Sequence, residues 1–390
     1  MSLKIKARRL LVALTTVGLL SSLSACGLGG DNASSGSNDS DTVNIGVLYP
    51  KTGQYAEYGK MFQQGFDLAV EKVNEDGGVD GKTLGLKYYD TQSDAKQDAS
   101  IAPKIASDSS IIAVVGDYAS PASAAASPTF QQAGLVHYGF NNSAPTFTDT
   151  GDHVWTPQIG QDVYQTANAD IVAQKAKKIS VVYIENDWGK QAYEYFKEEA
   201  EKQGVEIVYE SSYLADSTDL SPILIPARDA NPDAVVDIGY GPDGALVLNT
   251  LRDKLGYTGE FFGGQETDEF LELAGDNAEG TIITGSFSAT GTKDEKAQQF
   301  VKDFNAKYGK NPGNFEVTAY QAIIDLAYAA NKEGATREGV QKGLQTITDF
   351  PLYQGNGGTF KFNQNTRRAD NIDPILLIVK DGEFVQYDGE

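Results

Sequence analysis

The chain has 390 residues, with 54 acidic side chains against 32 basic ones and a net charge of −22. A surface that acidic repels phosphate backbones, which argues against nucleic-acid binding. One cysteine and two histidines leave no disulfide framework and little material for a metal centre or a thiol catalyst.

The first segment is a basic head (Lys4, Lys6, Arg8, Arg9), an apolar run from Leu10 to Leu20, and then Leu23-Ser24-Ala25-Cys26. That order is a secretory signal peptide, and its run of 11 residues falls short of the ~20 needed to span a bilayer. The last four residues resemble a bacterial lipobox. The resemblance implies that the Cys26 thiol is acylated and that the mature chain, 26–390, is lipid-anchored to the outer face of the bacterial cell membrane. An ordinary signal peptide ending in Cys is the alternative. Of the 15 residues 27–41, 13 are Gly, Ser, Asn or Asp, a flexible tether that cannot bury apolar surface. The rest is long enough for two domains, and without a disulfide a large core must hold it.

Strands and helices alternate from Val43. Apolar runs at Val43–Tyr49, Leu84–Tyr89, Ile111–Val115 and Leu135–Tyr138 read as strands. Between the first two, Phe62, Phe66, Ala69, Val70 and Val73 form one helical face, stopped by Asn74-Glu75-Asp76-Gly77-Gly78. A second series has strands at Ile179–Ile184, Val205–Tyr209, Ala234–Ile238, Glu260–Phe262 and Thr281–Thr284, with helices over 187–203, 219–230 and 243–255. Helices follow at 296–308, 315–333 and 336–346, then strand-like pieces near 359–362 and 374–379. This alternation predicts an α/β fold with parallel sheets flanked by helices, in two lobes with several chain crossings. Ligands of such sheets sit at the carboxyl ends of the strands, so the strand-to-helix loops are the places to search.

Enzyme machinery is sparse. His137 lies in an apolar run and reads as a core or cleft residue; His153 lies in a turn-rich stretch and reads as surface. No zinc-protease, Cys-x-x-Cys, calcium-loop or phosphate-loop motif occurs, so neither a metal nor a cofactor is expected. Gly239-Tyr240-Gly241-Pro242-Asp243-Gly244 matches the dinucleotide fingerprint on paper. Asp243, however, places a carboxylate where pyrophosphate would approach, and the loop reads instead as a helix start that presents Tyr240 to a cleft.

Ile45-Gly46, Pro50, Thr52-Gly53, Ala56, Tyr58-Gly59, Gly65, Asn74, Gly77-Gly78 and Gly81 form an ordered set. It continues through Gly116 to Ser120, Ser143-Ala144-Pro145, Asp187-Trp188-Gly189, Asn231 to Ala234, Tyr308-Gly309, Pro312 and Lys380-Asp381-Gly382. In order and spacing these resemble the branched-chain amino acid (Leu/Ile/Val) binding proteins, the extracytoplasmic substrate-binding component of ABC importers, over nearly all of the chain after residue 43.

The resemblance implies a type I periplasmic-binding fold with three interlobe crossings: 43–159 with 288–363 as lobe one, 160–287 with 364–390 as lobe two. It implies a monomer that captures a small solute and delivers it to ABC permease subunits without chemistry. Carried over residue by residue, it also implies the ligand contacts. Tyr58 closes over the ligand side chain. Ser120 binds its carboxylate, assisted by a helix start at Pro121. Asn141 and Ser143 bind the carboxylate or the ammonium, and Trp188 and Tyr240 form walls from the second lobe. Ser120 and Ser143 are equally the residue type of helix caps, and the three aromatics equally that of core residues. Gln265 stands where the family has a glutamate facing the ligand ammonium. Glu266 then ranks first and Asp243 second as its replacement; otherwise the ligand is an amide, or an aromatic or aliphatic carboxylate, without an α-amino group. A ligand-sensing receptor would use the same contacts.

Overall fold

The computed structural model describes residues 41–355, 357–370 and 372–387; Cys26, the signal peptide and nearly all of the tether lie outside them. The first series is β1 (Thr42–Tyr49), α1 (Ala56–Glu75), β2 (Thr83–Asp90), α2 (Ala95–Ser107), β3 (Ile111–Val115), α3 (Ser120–Gln132), β4 (Val136–Tyr138) and β5 (Val154–Trp155). Its strands make one parallel sheet in the order β2-β1-β3-β4-β5. The second series is α4 (Gln161–Lys175), β6 (Lys178–Ile184), α5 (Asp187–Lys202), β7 (Glu206–Tyr213), α6 (Ser221–Asp229) and β8 (Ala234–Ile238), then α7 (Gly241–Asn249), β9 (Glu260–Phe262), α8 (Asp268–Ala274) and β10 (Ile282–Gly285).

After β10 come α9 (Glu295–Tyr308), α10 (Asn314–Glu333) and α11 (Arg337–Gln345), then β11 (Phe350–Pro351), β12 (Thr359–Phe362), β13 (Ala369–Asp370), β14 (Ile375–Lys380) and β15 (Glu383–Gln386). The second sheet runs β15-β14-β10-β9-β8-β6-β7. Its five strands from β7 to β10 are parallel, but β14 joins antiparallel and β15 hairpins back on it, so this sheet is mixed rather than parallel throughout.

Burial on both faces explains the unbroken apolar strands. In β8, Val236 and Ile238 pack with Phe196 of α5, while Val235 packs on the opposite side with Leu248 of α7. In α1, Phe62 and Phe66 are fully buried, a burial that favours folding by about 1.5–3 kcal/mol per side chain. The same helix lies against α10, where a Cβ on Gly65 would run into the Glu316 carbonyl and the Ala319 side chain.

The sequence expectation of a passage to lobe two at 363/364 needs correction. Ala369 pairs with Phe362, and Thr156 pairs with Arg368, so the chain stays beside the first sheet through β13. It enters the second sheet only at β14. Among the described residues no helix is long and apolar enough to cross a membrane.

Candidate functional site

A cavity of about 1000 Å³, counting the space at its mouth, opens between the two sheets. It is lined by the loops that leave β3, β4, β8 and β9, which is where ligands meet parallel sheets, and by strand β10 itself. Seven of the eight expected residues line it: Ser120, Asn141, Ser143, Trp188, Tyr240, Gln265 and Glu266. Tyr58 is fully buried and meets the wall indirectly. Its hydroxyl accepts the Gly241 N–H at 2.7 Å and donates to Gln265 Oε1 at 2.8 Å, joining the two lobes.

Neither serine is a helix cap. Ser120 is the first residue of α3, whose cap position is Ala119, and its Oγ accepts the Ala144 N–H at 3.4 Å. Ser143 Oγ accepts from Gln161 Nε2 at 2.9 Å and from Trp188 Nε1 at 3.0 Å. Two incoming bonds occupy both lone pairs of a hydroxyl, so the Ser143 hydrogen is left to donate. Trp188 is placed by the start of α5, where the Asn186 side chain accepts the Gly189 N–H at 2.8 Å. Its ring stacks on Tyr240, centroids 5.0 Å apart and 23° between planes.

The Tyr58 hydroxyl accepts from Gly241 and gives its one hydrogen to the Gln265 carbonyl oxygen. That leaves the Gln265 NH2 group, a donor, at the cavity wall, a poor neighbour for an ammonium. Glu266, the next residue, also lines the cavity. One of its carboxylate oxygens is buried without a hydrogen-bond partner. Burial, then the Glu316 carboxylate, push its carboxyl well above the usual range. Asp243 is buried in the first turn of α7 beside Tyr55 and is not among the lining residues, so its rank as second ammonium partner does not hold. The loop that carries Gln265 depends on Gly264 at φ +82°, where a side chain would also strike the Phe270 ring.

Sequence reasoning missed several lining residues. Gln161, Gln165 and Asn168 come from α4, a helix the apolar pattern does not announce, and Asn314 from the start of α10. It also missed Arg368, whose guanidinium donates to the carbonyls of Ala144 at 3.0 Å, Gln158 at 3.2 Å and Ser143 at 3.4 Å. Burial lowers its pKa to about 10. Arg368 thus pins the Ser143 loop from behind, across more than 200 residues of sequence.

The two histidines are outside this site. His137 is fully buried, its Nδ1 2.9 Å from Ser127 Oγ and its Nε2 bonded to the Gly116 carbonyl; burial pulls its pKa down to about 4. His153 pairs with Asp152 at 2.7 Å. Among the described residues no group of three His, Cys, Asp or Glu side chains is placed to hold a metal ion.

Residues 42–376 match the sequence model of the periplasmic binding protein family. A leucine-, isoleucine-, valine-, threonine- and alanine-binding protein of Pseudomonas aeruginosa is 29% identical over 324 residues, 82% of this chain and 86% of that protein. Among solved structures, the branched-chain amino acid transporter substrate binding protein of Streptococcus pneumoniae, in complex with isoleucine, superposes with a TM-score of 0.80. It is 26% identical, over 89% of this chain and 100% of that one. A solute binding protein of an ABC transporter from Rhodopseudomonas palustris, in complex with 3,4-dihydroxybenzoic acid, has a TM-score of 0.79 at 22% identity, covering 89% and 96%; it shares the fold.

Proposed function

The chain belongs to the periplasmic binding protein family, and from that premise we propose that it is the solute-binding component of an ABC importer whose cavity captures an amino acid or a related small polar solute. The observation that carries this reading is Ser143, whose doubly bonded oxygen frees its hydrogen at the cavity wall near Ser120. Two hydroxyls, Ser120 at the start of α3 and Ser143 in the loop after β4, suit a ligand carboxylate, which the helix N-terminus also favours. Trp188 and Tyr240 close the other side as aromatic walls, with Tyr58 bonded behind them to Gly241 and Gln265. The loaded protein delivers its solute to the permease subunits, held near them by lipid on Cys26, and makes or breaks no bond.

A second reading is favoured by Gln265. Its free NH2 group suits an oxygen on the ligand, so a carboxylate or amide without an α-amino group remains in competition.

The test is thermal unfolding of the purified mature protein against amino acids, amides and aliphatic and aromatic carboxylates. A ligand at a hundred times its Kd stabilises by about 2.7 kcal/mol, a plain upshift in Tm. No shift with any member of the panel overturns the reading.

A further inference from the structure

Gln161, Gln165 and Asn168 fall at i, i+4 and i+7 of α4, on one face of the helix, and all three line the cavity. They are wired in one direction. Thr284 Oγ1 donates to Asn168 Oδ1, Asn168 Nδ2 to Gln165 Oε1 at 3.0 Å, and Gln165 Nε2 to Gln161 Oε1 at 2.9 Å. Gln161 Nε2 then donates to Ser143 Oγ at 2.9 Å. A carboxamide has two N–H donors and two lone pairs. The relay uses one of each at every step, so each amide keeps one donor and one acceptor.

Gln161 and Gln165 are only 4% exposed. Their spare groups are thus withdrawn from bulk water, and an aliphatic ligand side chain lying against them would leave them unpaired. A polar site of this kind rejects ligands that lack the matching group far more strongly than an apolar pocket rejects a misfit. None of the relay's members ionises, so a charged ligand terminus would find no counter-ion in it. Val236, Ile238 and Phe262 supply an apolar surface to the same cavity.

Resting on the binding reading above, we infer that the α4 side of the cavity is a subsite for an uncharged hydrogen-bonding group at the end of the ligand side chain, a carboxamide or a hydroxyl. The relay ends at Ser143, and Gln165 lies about 6 Å (one helical turn) from Gln161 on the side away from it. An amino acid with an amide side chain spans that distance. The name of the Pseudomonas relative gives leucine, isoleucine, valine, threonine and alanine; an amide side chain is not among them.

The experiment is calorimetric titration of the mature protein with two matched pairs, asparagine against leucine and glutamine against norleucine, with isoleucine as a fifth ligand. The amide member of at least one pair should bind tenfold or more tighter than its apolar partner. In Gln165→Leu, with its unliganded Tm checked, that ratio should shrink to threefold or less, the apolar member gaining or holding affinity. If Gln165→Leu does not fold, the wild-type ratio and Asn168→Leu decide. Leucine or isoleucine binding as tightly as the amides overturns the subsite while leaving the binding function standing. Binding of none of the five overturns the subsite, and then the broad panel decides whether the binding function falls with it.

Discussion

Trp188 Nε1 donates to Ser143 Oγ at 3.0 Å, a bond between the start of α5 in the second lobe and the loop after β4 in the first. Because Gln161 Nε2 donates to the same oxygen, the serine is left a pure donor towards the cavity. One hydroxyl thus both ties the two lobes and faces the cavity. The Tyr58 hydroxyl makes a second such tie, to Gly241 and Gln265.

Ser120→Ala and Ser143→Ala should each weaken a carboxylate ligand by about 1–3 kcal/mol, the range for hydrogen bonds to a charged group. Ser143→Ala should be the more costly, since it also leaves Trp188 Nε1 and Gln161 Nε2 without their acceptor. Titration calorimetry at matched Tm checks both. Unchanged affinity in both variants would place the carboxylate elsewhere.

Glu266 makes ammonium binding pH-dependent. Burial and Glu316, which itself pairs with Lys310 at 3.2 Å, hold the Glu266 carboxyl above its usual pKa. A ligand ammonium favours the ionised form, so affinity should rise with pH through that raised pKa, and binding below it should release a proton. Calorimetry in two buffers of different ionisation enthalpy reads the release directly. Glu266→Gln should abolish it and weaken an α-amino acid by about 3–5 kcal/mol, the cost of leaving a buried charge unpaired. If an α-amino acid binds Glu266→Gln as tightly as the parent, its ammonium is held by another group.

Asp98 sets a stability trend with pH. It is fully buried in α2, neither oxygen has a hydrogen-bond partner, and burial together with Asp117 pushes it up to about 9. Burial pushes Asp117 itself up to about 6, against the Thr91 hydroxyl and the Ala119 N–H, whose bonds to its carboxylate pull it down. An acid with a raised folded pKa stabilises fully below its unfolded value of about 4, and loses that contribution as pH climbs through the folded one. Chemical unfolding should show stability falling between about pH 4 and pH 9. Asp98→Asn should flatten the slope and gain about 2 kcal/mol or more at pH 8. A slope that persists in Asp98→Asn would assign it to other groups.

Much of the fold is legible along the chain. Ile111–Val115, Ala234–Ile238 and Glu260–Phe262 are strands at the bounds read from the sequence, because a strand buried on both faces is apolar along most of its length; Asp237 and Glu260 are the polar exceptions. The late helices α9 to α11 likewise start and stop within a residue of the spans read from their sequences. In contrast, α4 is hidden from a hydrophobic pattern. Its cavity face carries carboxamides, and in sequence a buried amide looks the same as one in water. The antiparallel β14–β15 addition is equally invisible, since pairing direction depends on where the chain returns.

The sequence by itself determined the residue types at the ends of the strands, and with them seven side chains that line the cavity. Spacing and local turn chemistry are enough to place such loops, because each is set by a few neighbouring residues. Tertiary structure alone decided what those side chains have left to offer. Ser143 has a free hydrogen only because Trp188 and Gln161 come from two other elements to fill its lone pairs. Gln265 shows an NH2 group rather than a carbonyl only because Tyr58 arrives from more than 200 residues away, and Arg368 holds the Ser143 loop from a similar distance. Hydrogen-bond capacity is spent on whatever packing brings near, and that is a property of the assembled fold.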